Sequence, residues 1–328
     1  MPEMRIHRKL VGLFASFCLL VPAWSAAQDK PWPEKPIRML VPFPPGGGAD
    51  IGARYIAASL EKKLGQPVVV ENVPGMGGSI SLQKLARSPA DGYTIGFAHI
   101  GTLAINPIVY PNVGYDPVKA FAPIAQLSEY ENVLVVSSKS PYHSVSDLIE
   151  AAKKKQGTMT FGSAGNGTSN HVCAALLASM SGVKLNHIPY KGSAAALLGV
   201  MAGDIDFMFD TPMTSGDLIR AGKLRALAAT GKKRSAMYMN LPTVDETVPK
   251  YEFIGWSGIV APAGTPPRIV SRLSEALERI SSSPETQERY RQQGVVPFFR
   301  GPKDFSDLIR RDLDKWGDVI KAANVRVD

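Results

Sequence analysis

Two glycine-rich stretches stand where a polypeptide can grip an anion. The first is Pro42-Phe43-Pro44-Pro45-Gly46-Gly47-Gly48-Ala49-Asp50. The second is Gly162-Ser163-Ala164-Gly165-Asn166-Gly167-Thr168-Ser169. Each follows a β-rich run and precedes a helical pattern. Glycine lets backbone N–H groups approach a ligand closely. A helix start adds unpaired N–H groups and the positive end of the dipole. One hydrogen bond to a charged group contributes about 1.5–3 kcal/mol, so four amides reach about 6–12 kcal/mol, the scale of micromolar binding. Asp50 is expected to cap the first helix, and Thr168 or Ser169 the second. The competing reading is that both stretches are only tight connections.

Catalytic signatures fail on inspection. Gly165-Asn166-Gly167 and Gly75-Met76-Gly77 each lack the third glycine of a dinucleotide loop, and no GxxxxGK[ST] occurs. Ser163 lacks the glycine two residues before it that a nucleophile elbow requires, because Phe161 stands there. His99, His143, His171 and His187 share no metal-ligand spacing, so no metal and no cofactor are expected. An exported hydrolase using Ser163 or His171 remains a remote alternative.

The elements that must position these loops alternate. Ile37–Val41, Val68–Val70 and Tyr93–Ala98 read as strands. Helical patterns over Asp50–Leu64 and Ser79–Arg87 separate them. The alternation restarts with strands at Asn132–Val136, Thr158–Gly162, Leu185–Ile188, Ile205–Phe209 and Arg225–Ala229. Helices fall at Ser146–Lys154, Ser169–Met180 and Ser193–Met201. After Ile254–Val260 the remainder reads as helical: Pro266–Ser282, Pro284–Gln293 and Pro302–Ala323. Such alternation predicts parallel sheets covered on both faces. The fold class is therefore α/β, with two lobes, each a sheet covered by helices. Crossings are expected near Ile124–Leu127 and Phe253–Ile259. Lobe 1 comprises residues 28–127 plus 254–328, and lobe 2 residues 128–253.

The N-terminus carries an export pattern. Arg5, Arg8 and Lys9 precede the apolar run Leu10–Val21. Pro22 and the small residues Ser25, Ala26 and Ala27 follow. Residues 1–27 are read as a signal peptide cleaved near Ala27. The apolar core is shorter than the roughly 20 residues of a membrane span. Cleavage removes Arg5, Arg8, Lys9 and Glu3 and lowers the formal charge from +8 to +6. It also removes Cys18, so Cys173 has no intrachain partner and reads as a small buried hydrophobe. The remaining charges are scattered and show no basic stripe, which argues against nucleic acid. A mildly basic surface favours small anions.

The chain resembles the Bug family, the periplasmic substrate receptors of tripartite tricarboxylate transporters. The matching stretches are Trp32-Pro33 with Pro36-Ile37, Val41–Asp50, Glu71-Asn72 with Gly75 and Gly77-Gly78, and Asp91-Gly92-Tyr93. They continue through Ala104–Pro107, Ser163–His171, His187–Gly192, Gly222–Arg225 and Trp256–Pro266, with Trp316 in the last helix. Ala120 and Ala175 depart from the family pattern. The resemblance implies a two-lobed, type II-like periplasmic binding protein fold with the ligand cleft between the lobes. It implies a carboxylated ligand: a dicarboxylate, tricarboxylate, acidic amino acid or aromatic acid. By that resemblance Phe43, Pro45, Gly46, Gly47, Gly48 and Asp50 line the site from the first loop. Ser163, Ala164, Gly165, Asn166, Gly167 and Thr168 do so from the second. His99 and Thr102 line the cleft, and Asp210 lies near the ligand's far end. His171 reads either as a buried structural histidine or as a ligand contact, and Tyr190-Lys191-Gly192 as a structural turn. The implied partners are membrane permease subunits or, alternatively, a sensor kinase of a two-component system. The chain itself is expected to be a monomer, in the periplasm.

Overall fold

The computed structural model describes residue 1 and residues 32–155, 157–234 and 241–322. The expected signal peptide therefore lies, apart from Met1, outside the described residues. Pro33–Asp328 form one compact unit. The strands are β1 (Ile37–Val41), β2 (Val68–Asn72), β3 (Thr94–His99), β4 (Phe121–Tyr130), β5 (Val133–Ser137), β6 (Thr160–Ser163), β7 (Asn186–Pro189), β8 (Phe207–Asp210), β9 (Leu224–Ala229), β10 (Gly255–Pro262) and β11 (Val296–Arg300). They build a six-stranded sheet in the order β11-β4-β10-β3-β1-β2 and a five-stranded sheet in the order β7-β6-β8-β5-β9.

Both sheets are mixed, which corrects the expected parallel arrangement. β1 runs parallel to β2 and β3, and β6 parallel to β7 and β8. β10 is antiparallel to β3 and β4, β11 to β4, and β5 to β8 and β9. The physical reason is connectivity. β4 leaves one sheet and enters the other as β5 through Glu131 and Asn132 alone, and β10 returns after the second sheet is complete. The first connection is too short for a helix, and the described residues of the second hold only the single turn Val244–Glu246, so neither supplies the helical crossover that goes with parallel pairing.

The helices are α1 (Gly48–Leu64), α2 (Ser79–Ala86), α3 (Asn106–Val109), α4 (Val145–Lys155), α5 (Ser169–Ser181), α6 (Ser193–Ala202), α7 (Pro212–Arg220), α8 (Pro267–Ser281), α9 (Pro284–Gln292) and α10 (Pro302–Ala322). α1 and α5 stop where Gly65 and Gly182 adopt the left-handed conformation and donate back to the last turn. Three elements depart from the expectation. A π turn at Gly101–Ile105 leads into α3. α7 forms where no helix is expected, opened by Pro212 in its first turn. β11 interrupts the C-terminal segment expected to be wholly helical, pairing with β4 at the sheet edge. No helix among the described residues is long and apolar enough to cross a membrane.

Thr230 joins the two passages of chain between the sheets. Its amide donates to Asn132 O (3.0 Å), and its Oγ1 accepts from Asn132 N (2.9 Å). The same hydroxyl donates to Phe253 O (2.8 Å), while Phe253 N donates to Thr230 O (2.9 Å). Thr230 is fully buried. Cys173 is buried beside this knot: Asn132 Nδ2 donates to its Sγ (3.4 Å) and Tyr251 Oη to its carbonyl (2.9 Å). Burial pushes the thiol up to about 12, so it is inert.

α10 closes the six-stranded sheet. Phe305 meets Trp256 edge-on at 5.4 Å, Trp316 packs on Phe253 at 5.2 Å, and Asp312 accepts from Trp256 Nε1 (2.6 Å). This layer has no room at Gly258 in β10. A Cβ there would stand 2.4 Å from Ala125 O and 2.7 Å from the Phe305 ring. Gly258→Ala is accordingly expected to lower unfolding stability by about 1–3 kcal/mol. Urea unfolding followed by tryptophan fluorescence checks this, and an unchanged midpoint would refute the packing argument.

Candidate functional site

Both glycine-rich loops connect a strand to a helix, and both open onto one cavity of about 100 Å³ between the sheets. The first half of the chain contributes Phe43, Pro44, Pro45, Gly47, Gly48 and Ala49 from the first loop. Gly52, Phe97 and His99 lie behind them. Ser128, Tyr130 and Ser257 come from β4 and β10, and Tyr290 and Val295 from α9 and the turn after it. The opposite wall is Ala164, Thr168, Ser169 and Asn170, then Lys191–Ala194, then Thr211 and Met213.

The first loop is held from below. Asn72 Nδ2 donates to Phe43 O and to Asp50 Oδ1, both at 2.8 Å. Asp50 Oδ2 accepts from Gly46 N (3.0 Å) and Arg54 Nε (3.0 Å). Burial raises the Asp50 carboxyl, but the hydrogen bonds from Arg54, Asn72 and Gly46 outweigh it and hold the group below the ordinary carboxylate range. Asp50 is thus a brace for the loop. It does not cap α1, whose N-cap is Gly47, extended at φ −82° and without a side-chain bond. The first N–H groups of α1, at Gly48 and Ala49, face the cavity.

The second loop departs from expectation in the same sense. Thr168 holds the N-cap position of α5, yet its hydroxyl donates to Gly165 O (2.7 Å) and caps nothing. Gly165 N donates to Ser163 Oγ (3.1 Å) and Gly167 N to His171 Nδ1 (3.2 Å), so these loop amides are turned inward. The N–H groups left for the cavity are those of the first turn of α5, at Ser169 and Asn170.

Of the residues singled out in the sequence, Phe43, Pro45, Gly47, Gly48, His99, Ala164 and Thr168 line the cavity. Gly46, Asp50, Ser163, Gly165, Asn166, Gly167, Thr102, His171 and Asp210 do not line it. Thr102 donates to His99 O (3.0 Å) and accepts from His99 N (3.2 Å). His171 stacks on His187 (4.1 Å), which in turn stacks on Phe161 (4.7 Å). Ser163 meets His187 Nε2 at 2.6 Å in a part-buried contact, and neither residue lines the cavity. Asp210 is fully buried under the floor. It accepts from Thr214, Ser193 and Ser215 and from Asn170 Nδ2 (3.3 Å). Burial raises its carboxyl to about 6 against those bonds.

Sequence reasoning missed Gly52, Phe97, Met213, Tyr290 and Val295, which converge from distant segments. It read Lys191 as part of a structural turn, although Lys191-Gly192-Ser193 repeats the motif of a glycine entering a helix. Several of the cavity's polar side chains bond to protein partners: Ser128 to Ser257 (2.6 Å), Asn170 to Phe209 O (2.7 Å), Thr211 to Thr214 (3.1 Å) and Tyr130 to Ser169. His99 differs. Gly101 N donates to its Nδ1 (3.0 Å), which places the ring proton on Nε2. That buried nitrogen has no partner among the described residues.

The halves touch around the cavity. Tyr110 Oη donates to Asn166 O (3.0 Å), and Gly77 fits only without a side chain, because a Cβ would stand 2.4 Å from that same oxygen. Two sheet layers closing on a cavity lined by the uncapped starts of α1, α5, α6 and α7 define a solute-binding receptor with the periplasmic binding protein fold. The chain belongs to the tripartite tricarboxylate transporter receptor family, whose model matches residues 52–325. BugT of Bordetella pertussis is 32% identical over 298 residues, covering 90% of this chain and 91% of the relative. Among solved structures, R. palustris Rpa4515 with adipate superposes with a TM-score of 0.87 at 34% identity, covering 90% of this chain and 99% of that one. The periplasmic binding protein BugD gives 0.86 at 34%, with the same coverage. Membership makes the chain a binding protein and not an enzyme.

The buried imidazoles make stability depend on pH. Burial lowers His99 to about 4, His171 to about 3 and His187 to about 4, with the neighbouring His187 adding to the effect at His171. Their stabilisation is complete above the unfolded value of about 6.5 and is lost as pH falls toward 4, by about 3 kcal/mol for His99. Asp210 works oppositely, costing stability as pH rises from 3.8 to about 6. Three imidazoles against one carboxylate give a net loss on acidification. Denaturant midpoints between about pH 7 and pH 4.5 should fall with pH; a flat or rising profile would show that the rings are not held neutral.

Proposed function

We propose that this receptor is exported to the periplasm, with its signal peptide cleaved near Ala27, captures a small carboxylate and delivers it to a membrane permease of the tripartite tricarboxylate type. One observation carries the carboxylate reading: the uncapped N-termini of α1 and α5 open onto a single cavity where several cavity-lining hydroxyl and amide side chains already bond to the protein. Backbone N–H groups at helix starts are oriented donors that favour negative charge. His99 Nε2–H is a further donor at the wall, neutral at physiological pH because burial holds the ring near 4. The carboxylate therefore sits between Gly47–Ala49 and Ser169–Asn170. Asp50, Asn72 and Ser163 keep the loops in shape, and Asp210 positions Asn170 and Ser193. The adipate named for Rpa4515 fits the same reading.

Gly47 offers the direct test. Its φ of −82° suits any residue, and a Cβ there meets only Pro44 O at 3.7 Å. Gly47→Trp should leave folding intact and project a ring into the carboxylate seat, weakening binding at least about 100-fold. Calorimetric titration with a panel of carboxylates, alongside the melting temperature of the variant, checks this. Retained affinity in a folded variant would overturn the assignment.

A further inference from the structure

The cavity has two chemically different ends. Lys191 belongs to the anion end. A Cβ on Gly192 would stand 3.6 Å from Pro44, and one on Gly165 would stand 3.7 Å from Tyr190 O. The Tyr190–Gly192 turn therefore borders both glycine-rich loops. Lys191 is the sole charged side chain among the described residues that line the cavity. His99 lies at this end too, its ring 5.3 Å from that of Phe43.

The other end is apolar. Gly52 sits four residues further along α1 than Gly48, about 6 Å along the helix axis. A Cβ on Gly52 would stand 3.6 Å from the Phe97 ring and 3.7 Å from Met213 Cε. Tyr55, further along α1, packs on Tyr290 at 6.1 Å, and Val295 N donates to Tyr290 O (2.9 Å). Phe97 and the end of the Met213 side chain flank Gly52, the root of Met213 reaches back to Gly48, and Tyr290 and Val295 line the same cavity. A glycine inside a helix costs roughly 0.5–1 kcal/mol relative to alanine, so its presence there is explained by the hollow it leaves.

We propose that the physiological ligand is a monocarboxylate with an apolar body, a short fatty or aromatic acid, whose carboxylate sits by the loops and Lys191 and whose body fills the hollow at Gly52. This rests on the carboxylate reading above and sharpens it. A second carboxylate reaching the apolar end would be stripped of water against Phe97, Met213 and Val295 with no cation to meet it. Burying a hydrocarbon tail against the same residues is favourable.

The test compares hexanoate and benzoate with adipate and citrate by calorimetric titration of the purified protein. Hexanoate or benzoate is expected to bind at least about tenfold more tightly than adipate, equivalent to about 1.4 kcal/mol. Adipate or citrate binding as tightly or more tightly overturns the proposal while leaving the carboxylate reading standing. If none of the four binds, both fail. Two variants locate the ends. Gly52→Leu should lower the ratio of hexanoate to acetate affinity at least about tenfold in a variant whose melting temperature shows it folded. Met213→Lys, at a half-exposed position, should bring adipate level with hexanoate or above it. A folded Met213→Lys protein that keeps the original ranking would also overturn the placement of the tail.

Discussion

A single buried hydroxyl ties together the two passages of chain between the sheets. Thr230 Oγ1 accepts from the outgoing strand connection at Asn132 and donates to the returning one at Phe253. The backbone of Thr230 bonds to the same two residues. The Thr230 hydroxyl and the backbone groups it meets at the crossing are thereby satisfied within the protein, as buried backbone requires. The cavity exists because the sheets meet at this fixed point and then diverge. α1 and α5 lie on opposite sides of the gap, each starting at the end of a strand.

The same economy governs the cavity wall. Hydroxyls and amides that look available in the sequence are used to shape loops. Thr168 and Ser163 fold the second loop on itself, and Asn72 with Asp50 folds the first. A side chain that capped either helix would compete with an incoming anion for the same N–H groups. Leaving both helices without a side-chain cap gives up some local stability, only a few tenths of a kcal/mol at a glycine such as Gly47, and leaves the donors for a ligand. The buried carboxylate of Asp210 follows this logic from beneath, holding Asn170 and Ser193 in the wall while staying out of the cavity.

Much of the architecture was legible in local patterns. Apolar β-branched runs such as Val68–Val70 and Val133–Val136 became strands, and glycines at residues 65 and 182 ended helices. Strand direction was not legible, because antiparallel pairing of β5 and β10 is set by where the chain crosses, not by what those strands contain. β11 holds Pro297 and reads poorly as a strand; its pairing with β4 and the bonds from Arg300 to Gln126 and Glu129 hold it there. At the site, the loops were legible from their glycines. Their amides were not, since the inward turn of Gly165 and Gly167 depends on Ser163 and His171 in three dimensions. The apolar end was invisible, because Phe97, Met213, Tyr290 and Val295 share no segment.

The paired crossing has a mechanical consequence. A body suspended from one strand can swing and twist in any direction. A body suspended from two neighbouring strands, pinned together by Thr230, retains chiefly one soft coordinate: a bend about the line joining them. Any relative motion of the two halves would then carry their distant outer faces along a single track.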